Sequence, residues 1–167
     1  KLRQLLLLFL RICAILFLVL AGARPFLKNN QGMHEPTATV IILDNSMSSG
    51  LIRDGNRILD TLKDVALEGI EQSGDEDRLW LIKAAQPLES AITGPLKTIR
   101  EAIQATEVTG TASNLLVELE RAATILSSSS LPMKEIHLIS DLQASSFGTP
   151  RDLSHIEGIP LIVSTQQ

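Results

Sequence analysis

The chain contains one long apolar segment and several short ones, separated by polar stretches. Residues 5–23 are almost wholly apolar and about long enough to cross a bilayer as a helix. Residues 40–43 form a short continuous apolar run, which is typical of a strand buried on both faces of a parallel sheet. Further mostly apolar runs at 78–84, 135–140 and 160–164 predict three more strands.

Three amphipathic helices are predicted between these strands. Residues 57–72, 95–104 and 113–126 carry apolar side chains at helical spacing. In the third helix the predicted inward positions are Leu115, Leu119, Ala122, Ala123 and Leu126. Residues 87–93 predict a short edge strand, because proline fits an edge, and 49–56 predict a loop. Strands that alternate with helices predict an α/β fold with a doubly wound, mainly parallel sheet.

This pattern divides the chain into three segments. We expect a transmembrane helix over residues 1–24, a polar linker over 25–36, and a domain over 37–167 that continues beyond the given sequence with a further helix and strand. A cleaved signal peptide is the alternative to a retained span. Arg11 would cost about 2.5–3.5 kcal/mol near the middle of a span, unless its side chain reaches the head groups or faces another helix.

Composition argues against some partners and sites. The formal net charge is -4, aromatic residues make up 3% of the chain, and tyrosine is absent, so no base-stacking surface for nucleic acid is visible. The single cysteine allows no intrachain disulfide and no cysteine-rich metal site.

The main candidate for chemistry directly follows the run at 40–43. Asp44, Ser46 and Ser48 place one carboxylate and two hydroxyls at alternate positions after the strand. Ligands bind at the carboxyl ends of strands in open α/β sheets. Hard oxygen donors suit Mg²⁺ or Mn²⁺, while zinc prefers nitrogen and sulfur. The motif therefore predicts part of a divalent-metal site, which other loops must complete.

Two later loops carry further oxygen donors, at Thr111 and Asp141. An Asp-x-Ser-x-Ser loop followed by a Thr and then an Asp resembles the metal-ion-dependent adhesion site of von Willebrand factor A domains. The resemblance implies that the metal ligands are Asp44, Ser46, Ser48, Thr111 and Asp141. Two departures leave questions open. Ala112 stands where the family usually has Asp, so a neighbouring carboxylate is missing, and Thr109 remains an alternative to Thr111 as the ligand. Leu142 stands where the family usually has Gly, which leaves the path of the third loop open.

The chain also resembles the BatA-type, aerotolerance-related membrane proteins of bacteria. The resembling residues are Ala-Arg-Pro at 23–25, at the end of the apolar segment, and the acidic step at 74–79. This resemblance implies a non-enzymatic adaptor that binds a partner's Asp or Glu through the metal. It also implies an inner-membrane location with the A domain outside the cytoplasm. Other Bat-type membrane proteins and a MoxR-type AAA+ ATPase would be its associates.

Two alternatives remain beside the adaptor. One is a structural membrane module whose metal site is vestigial. The other is an α/β hydrolytic enzyme, but a phosphatase of the haloacid dehalogenase type needs a second Asp where this chain has Ser46. A serine hydrolase needs a histidine base, whereas His34, His137 and His155 lie in the linker, a strand and a polar stretch.

Overall fold

A five-stranded sheet with helices on both faces forms most of the chain described here. The structure is a computed structural model, and it describes residues 35–148 and 157–165, together with 3, 4, 6 and 9–11. The strands are β1 (Thr37–Leu43), β2 (Ile52–Arg53), β3 (Asn56–Arg57), β4 (Arg78–Lys83), β5 (Ile92–Gly94), β6 (Met133–Ile139) and β7 (Leu161–Ser164). The helices are α1 (Ile58–Gly69), α2 (Leu96–Gln104) and α3 (Leu115–Ser127), with single 3-10 turns at Met47–Gly50 and Ala144–Phe147.

The predicted mainly parallel α/β sheet is confirmed. Its order is β5-β4-β1-β6-β7, so β1 is central and pairs in parallel with β4 and β6. β7 is parallel to β6, and β5 runs antiparallel at the other edge. β5 is shorter than the predicted edge strand at 87–93 and ends one residue later. The predicted loop at 49–56 instead contains β2 and the first residue of β3, which form a separate hairpin, and Arg57, predicted to begin the helix, is the second residue of β3.

Two apolar layers enclose β1, because successive side chains of a strand point to opposite faces. Val40 and Ile42 pack with the apolar face of α3, and Ile41 and Leu43 pack with α1 and α2. All four are fully buried. The five predicted inward residues of α3 are also buried. The central strand therefore holds its carboxyl end in a fixed position between two helical layers.

Most of the predicted transmembrane helix lies outside the described residues. The chain divides into two units, Lys1–Met33 and His34–Gln167. In the first unit, the residues that the structure describes are helical and exposed. Among all residues described, no helix is both long and apolar enough to span a bilayer. The span over 1–24 and the linker over 25–36 remain predictions.

Glu135 on β6 contacts two side chains beside the sheet. Its Oε1 accepts a hydrogen bond of 2.9 Å from Thr39 Oγ1 and lies 3.1 Å from Nε2 of His137. His137 in turn packs against Gly69 of α1, where an added Cβ would lie 3.1 Å from Nδ1. The contact with His137 is the main cause that lowers the pKa of Glu135, and partial burial opposes the shift.

We expect Glu135 to contribute to loss of stability in acid. A carboxyl with a lowered folded-state pKa stabilises the fold above its unfolded-state pKa, near 4.5, and this contribution is lost as the pH falls through the folded-state value. Glu135→Gln should therefore flatten the dependence of the unfolding free energy on pH below about pH 4.5. Urea denaturation across this pH range measures the effect, with exposed Glu71→Gln as the control. If the unfolding free energy depends on pH equally in Glu135→Gln and Glu71→Gln, Glu135 does not contribute to the loss of stability in acid.

Candidate functional site

The first predicted ligand loop begins where β1 ends. The Asp44 N–H donates to the Ile139 carbonyl oxygen at 2.9 Å, which fixes this loop beside the end of β6. The Asp44 side chain is fully buried. Its Oδ1 accepts from the Ser46 N–H at 3.1 Å, and its Oδ2 accepts from Ser140 Oγ at 2.7 Å. Both carboxylate oxygens are therefore held in a fixed direction by donors from two loops.

The three predicted hydroxyl ligands line one pocket. Ser46 Oγ and Ser48 Oγ are 3.1 Å apart, because the 3-10 turn at Met47–Gly50 folds the loop back on itself. Thr111 faces the same pocket of about 420 Å³ from the loop between α2 and α3. Its Oγ1 donates to the Ala85 carbonyl oxygen at 2.6 Å and lies 2.8 Å from Thr109 Oγ1. The lining includes neither Asp44 nor Asp141.

Thr109, the alternative ligand, lies behind Thr111 and contacts the first loop. Its N–H donates to the Asn45 carbonyl oxygen at 2.9 Å, and its Oγ1 lies 3.4 Å from the same oxygen. Thr109 is absent from the pocket lining. Of the two threonines, Thr111 is therefore the one whose side chain faces the pocket.

Asp141 in the third loop has buried carboxylate oxygens without partners. It follows Ser140, whose hydroxyl bonds Asp44, so the first and third loops are adjacent. Neither Oδ1 nor Oδ2 of Asp141 has a hydrogen-bond partner among the described residues. Burial of an ionised group without a partner is costly, and native structures normally compensate it. A divalent cation would supply that compensation, so this carboxylate fits the predicted metal.

Leu142 keeps the third loop on a path that glycine adopts more easily. Its φ is +52°, which lies in the left-handed region that is costly for a branched residue. Two contacts hold it there: its N–H donates to Ser140 Oγ at 3.0 Å, and its side chain packs against the core on the α3 side. The third loop therefore makes its turn with a leucine in the left-handed region.

Asn45 joins three loops around the site, although the sequence analysis did not single it out. Its Nδ2 donates to Gln86 Oε1 and to the Glu107 carbonyl oxygen, both at 3.0 Å, while its Oδ1 accepts from the Ala85 N–H at 3.0 Å. The residue is fully buried. A polar side chain two residues after a buried strand was the available signal, because a buried amide must find partners.

Arg121 of α3 extends this network to the loop after β4. It donates to the backbone carbonyl oxygens of Pro87 and Glu89 and to the Glu118 carboxylate. Burial raises the pKa of Glu118, and the Arg121 charge opposes that shift. Gln86, which accepts from Asn45, also donates to Glu89. The loop after β4 is thus tied both to the first ligand loop and to α3.

Other metal and catalytic groups are sparse in the part of the chain that the structure describes. There, no group of three or more His, Cys, Asp or Glu side chains could hold a metal ion. An ion at the candidate site would therefore depend on two carboxylates and several hydroxyls. His137 lies in β6 and contacts Glu135, while His34 and His155 fall outside the described residues.

Comparisons with known proteins agree with this fold. The family model of the von Willebrand factor type A domain matches residues 39–144. Crystal structures of the type V pili tip protein Mfa5 from Porphyromonas gingivalis are similar at 18% identity. The three N-terminal domains give a TM-score of 0.52, and the match covers 64% of this chain and 20% of that chain. The vWF domain gives 0.51, with 64% and 38% covered.

A third similar structure is that of an uncharacterized membrane spanning protein from Vibrio fischeri. It has 22% identity and a TM-score of 0.46, with 78% of this chain and 70% of that chain covered. This chain spans well under half the length of the two Mfa5 chains. At such identities the likeness to Mfa5 shows the fold alone. No curated protein matches this chain.

Proposed function

This chain belongs to the von Willebrand factor type A domain family, and from that premise we propose that it is an adaptor, not an enzyme, which binds a protein partner through a divalent metal ion. Protein interaction is the general role of such domains. The observation that carries the metal part is the Asp141 carboxylate, whose two buried oxygens have no partner among the described residues. It lies in the loop adjacent to the fixed Asp44 carboxylate. Two neighbouring carboxylates repel each other unless a cation lies between them.

The proposed ligands divide into charged and neutral groups. Asp44 and Asp141 would supply negative charge, while Ser46, Ser48 and Thr111 would supply hydroxyl oxygens to Mg²⁺ or Mn²⁺. The Thr111 hydroxyl proton is directed to a backbone carbonyl, so Thr111 Oγ1 accepts in its contact with Thr109 Oγ1, and one lone pair remains for an ion. Neutral ligands leave the ion's charge largely uncompensated. Such an ion, when bound, supplies a Lewis-acidic position that suits a partner's Asp or Glu carboxylate.

We also propose that the chain is anchored in a bacterial inner membrane. Residues 1–24 would anchor the chain, with the A domain outside the cytoplasm. Other Bat-type membrane proteins and a MoxR-type AAA+ ATPase would be its associates. The apolar segment at 5–23 and the Ala-Arg-Pro sequence that follows support this setting. An alkaline phosphatase fusion after residue 165 should be active in intact cells, and an inactive fusion would contradict the orientation.

Metal binding should raise the thermal stability of the full chain. A ligand that binds only the native state stabilises it by about 2.7 kcal/mol at a hundredfold excess over Kd. We expect Mg²⁺ or Mn²⁺ to raise the melting temperature of the wild type and of the control Ser145→Ala, which removes an exposed hydroxyl from the same pocket. Ser46→Ala and Thr111→Ala should respond only at higher metal concentration. An unchanged melting temperature in the wild type would favour the vestigial site.

Partner capture should depend on the same ion. A pull-down from detergent-solubilised bacterial membranes would compare the wild type, Ser46→Ala, Thr111→Ala and the Ser145→Ala control, each with and without chelator. We expect the wild type and Ser145→Ala to retain partners only in the absence of chelator. Ser46→Ala and Thr111→Ala should lose them in both conditions. Capture that is equal in all eight samples would mean that binding uses another surface. Turnover of generic phosphate or ester substrates would contradict the non-enzymatic role.

A further inference from the structure

A second pocket lies between the end of α1 and the sheet, near the start of β1. Its volume is about 420 Å³, and it shares no lining residue with the pocket at the carboxyl end of β1. The lining contains the carboxylates of Glu68, Asp77 and Glu135 and the imidazole of His137. Among the described residues, no Lys or Arg side chain lines it. The second pocket is therefore electronegative and separate from the candidate metal site.

The surroundings of the second pocket add to its negative charge. Residues 68–77 contain no basic side chain, but they include the acidic residues Glu68, Glu71, Asp75, Glu76 and Asp77. The last turn of α1 also has no basic residue to offset the partial negative charge at the C-terminus of a helix. Such a field attracts cations of many kinds, so the identity of the ligand depends on more specific contacts.

His137 supplies the specific contact. Its side chain lines the second pocket, the residue exposes only 9% of its surface, and its Nε2 has no hydrogen-bond partner among the described residues. Glu135 Oε1 is 3.1 Å from this nitrogen, but the two groups are not aligned for a direct hydrogen bond. A buried polar atom without a partner is costly, and native structures normally compensate it. A ligand with two adjacent N–H groups would bind both atoms at once.

Neighbouring residues hold this pair of acceptors in place. Thr39 Oγ1 donates to Glu135 Oε1 at 2.9 Å, and a carboxylate oxygen can accept a second hydrogen bond. Gly69 allows the imidazole to lie against α1, because an added Cβ would be 3.1 Å from Nδ1. The His137 contact lowers the pKa of Glu135, and the charge of Asp77 opposes this shift. Glu135 is therefore ionised at neutral pH, with a second carboxylate near it.

We propose that the second pocket binds a guanidinium group. The planar guanidinium carries parallel N–H groups, which suit two acceptors 3.1 Å apart: Glu135 Oε1, and His137 Nε2 in the tautomer with its proton on Nδ1. Its permanent charge complements Glu135 and Glu68. A metal ion fits less well, because no group of three or more His, Cys, Asp or Glu in the described part of the chain could hold one. The guanidinium belongs either to an arginine side chain of a protein or to a free guanidinium compound.

The test compares three small probes, which are the N-acetyl amides of arginine, citrulline and lysine. Citrulline has a neutral urea in place of the guanidinium, and lysine carries its charge as a compact ammonium. The protein is the full chain in a mild detergent with ¹³C-labelled histidine rings, and His137→Gln identifies the His137 signal. We expect the arginine probe to shift this signal at a concentration about tenfold lower than either other probe requires. A chelator should not change the response.

Variants assign the contact to the second pocket. Glu135→Gln keeps an acceptor for Thr39 but removes the charge, so the arginine probe should bind about tenfold more weakly. Glu68→Gln removes an exposed charge from the lining and should weaken binding only about twofold. The control Glu71→Gln makes the same change at an exposed carboxylate outside the lining and should bind like the wild type. Urea denaturation checks that each variant is folded.

Two further probes distinguish the sources of the guanidinium. These are agmatine, which is a free guanidinium compound, and a glycine peptide with one central arginine. Tighter binding of the peptide supports a protein partner, and binding of agmatine at an equal or lower concentration supports a small molecule.

Several results would overturn the proposed guanidinium site. Equal responses to the arginine and citrulline probes would show that charge has no role, and equal responses to arginine and lysine would show a general cation site. Zn²⁺ that shifts the His137 signal and blocks the arginine probe would show a metal site instead. Unchanged binding in Glu135→Gln, or no response to any probe, would also contradict it. The proposed metal function is judged separately, by the response of the melting temperature to Mg²⁺.

Discussion

Asp141→Asn is expected to stabilise the metal-free protein while it removes the stabilisation by Mg²⁺. The wild-type carboxylate is buried without a partner in the part of the chain described, so its charge costs free energy in the absence of a cation. The amide is neutral and nearly isosteric. We expect a net gain in metal-free buffer, because an unpartnered amide costs less to bury than an unpartnered charge. With saturating Mg²⁺ the wild type should be the more stable of the two, because the variant lacks one of the two proposed charged ligands.

Asp44→Asn is the matched control for this experiment, because the same change at the neighbouring carboxylate should have the opposite effect without metal. Both oxygens of Asp44 accept hydrogen bonds, from the Ser46 N–H and from Ser140 Oγ. An amide would direct an NH₂ group at one of these donors, so Asp44→Asn should be less stable in both buffers. Urea denaturation with chelator and with Mg²⁺ gives the four comparisons. A metal-free loss of stability in Asp141→Asn would show that its carboxylate is compensated by something other than a metal.

Asn45→Ala should lower the unfolding free energy by about 3 kcal/mol. The substitution removes three side-chain hydrogen bonds and leaves the Ala85 N–H and the Glu107 carbonyl oxygen without their partner. It should also weaken metal binding, since Asn45 holds the first ligand loop against the loop that carries Thr111. Chemical denaturation and a metal titration followed by melting temperature measure the two effects.

Two variants make the role of Asn45 specific. Asn45→Asp keeps an acceptor for the Ala85 N–H but turns a buried carboxylate oxygen toward Gln86 Oε1 and the Glu107 carbonyl oxygen, so it should be at least as destabilising as Asn45→Ala. Gln86→Ala removes one partner of Asn45 from a partly exposed position and should cost less than Asn45→Ala. A loss below about 1 kcal/mol in Asn45→Ala would mean that water replaces these bonds and that the loops do not depend on this side chain.

The central strand and the helices could be predicted because their buried residues are apolar. These residues form a continuous run in the strand and recur at helical spacing in the helices. The run at 40–43 is apolar throughout, since helices cover both faces of β1. The β2–β3 hairpin was missed because its strands have two residues each and are exposed. A local signal was present in Asp54-Gly55, where both residues have positive φ, as hairpin turns of this kind require.

The candidate site could be predicted only as far as residue type and strand position allow. Parallel strands bring their carboxyl ends to one edge of the sheet, so loops after β1 and β6 had to be neighbours. The lack of partners for Asp141 could not be predicted, because it depends on how each side chain of the third loop is oriented. The role of Asn45 depends similarly on two backbone groups, at Ala85 and Glu107, that are distant in sequence. The ligand roles themselves remain predictions.

The long separation between the paired ends of β1 and β6 has a consequence for synthesis on the ribosome. Ser140, whose hydroxyl fixes the Asp44 carboxylate, lies 96 positions further along the chain. At about 5–20 residues per second, translation leaves an interval of about 5–20 s between the two. During that time β1 can pair with β4, but its other hydrogen-bonding edge is unfilled and prone to aberrant pairing. Because the Asp44 carboxylate is held by Ser140 in the loop after β6, the candidate site cannot be complete until β6 has emerged.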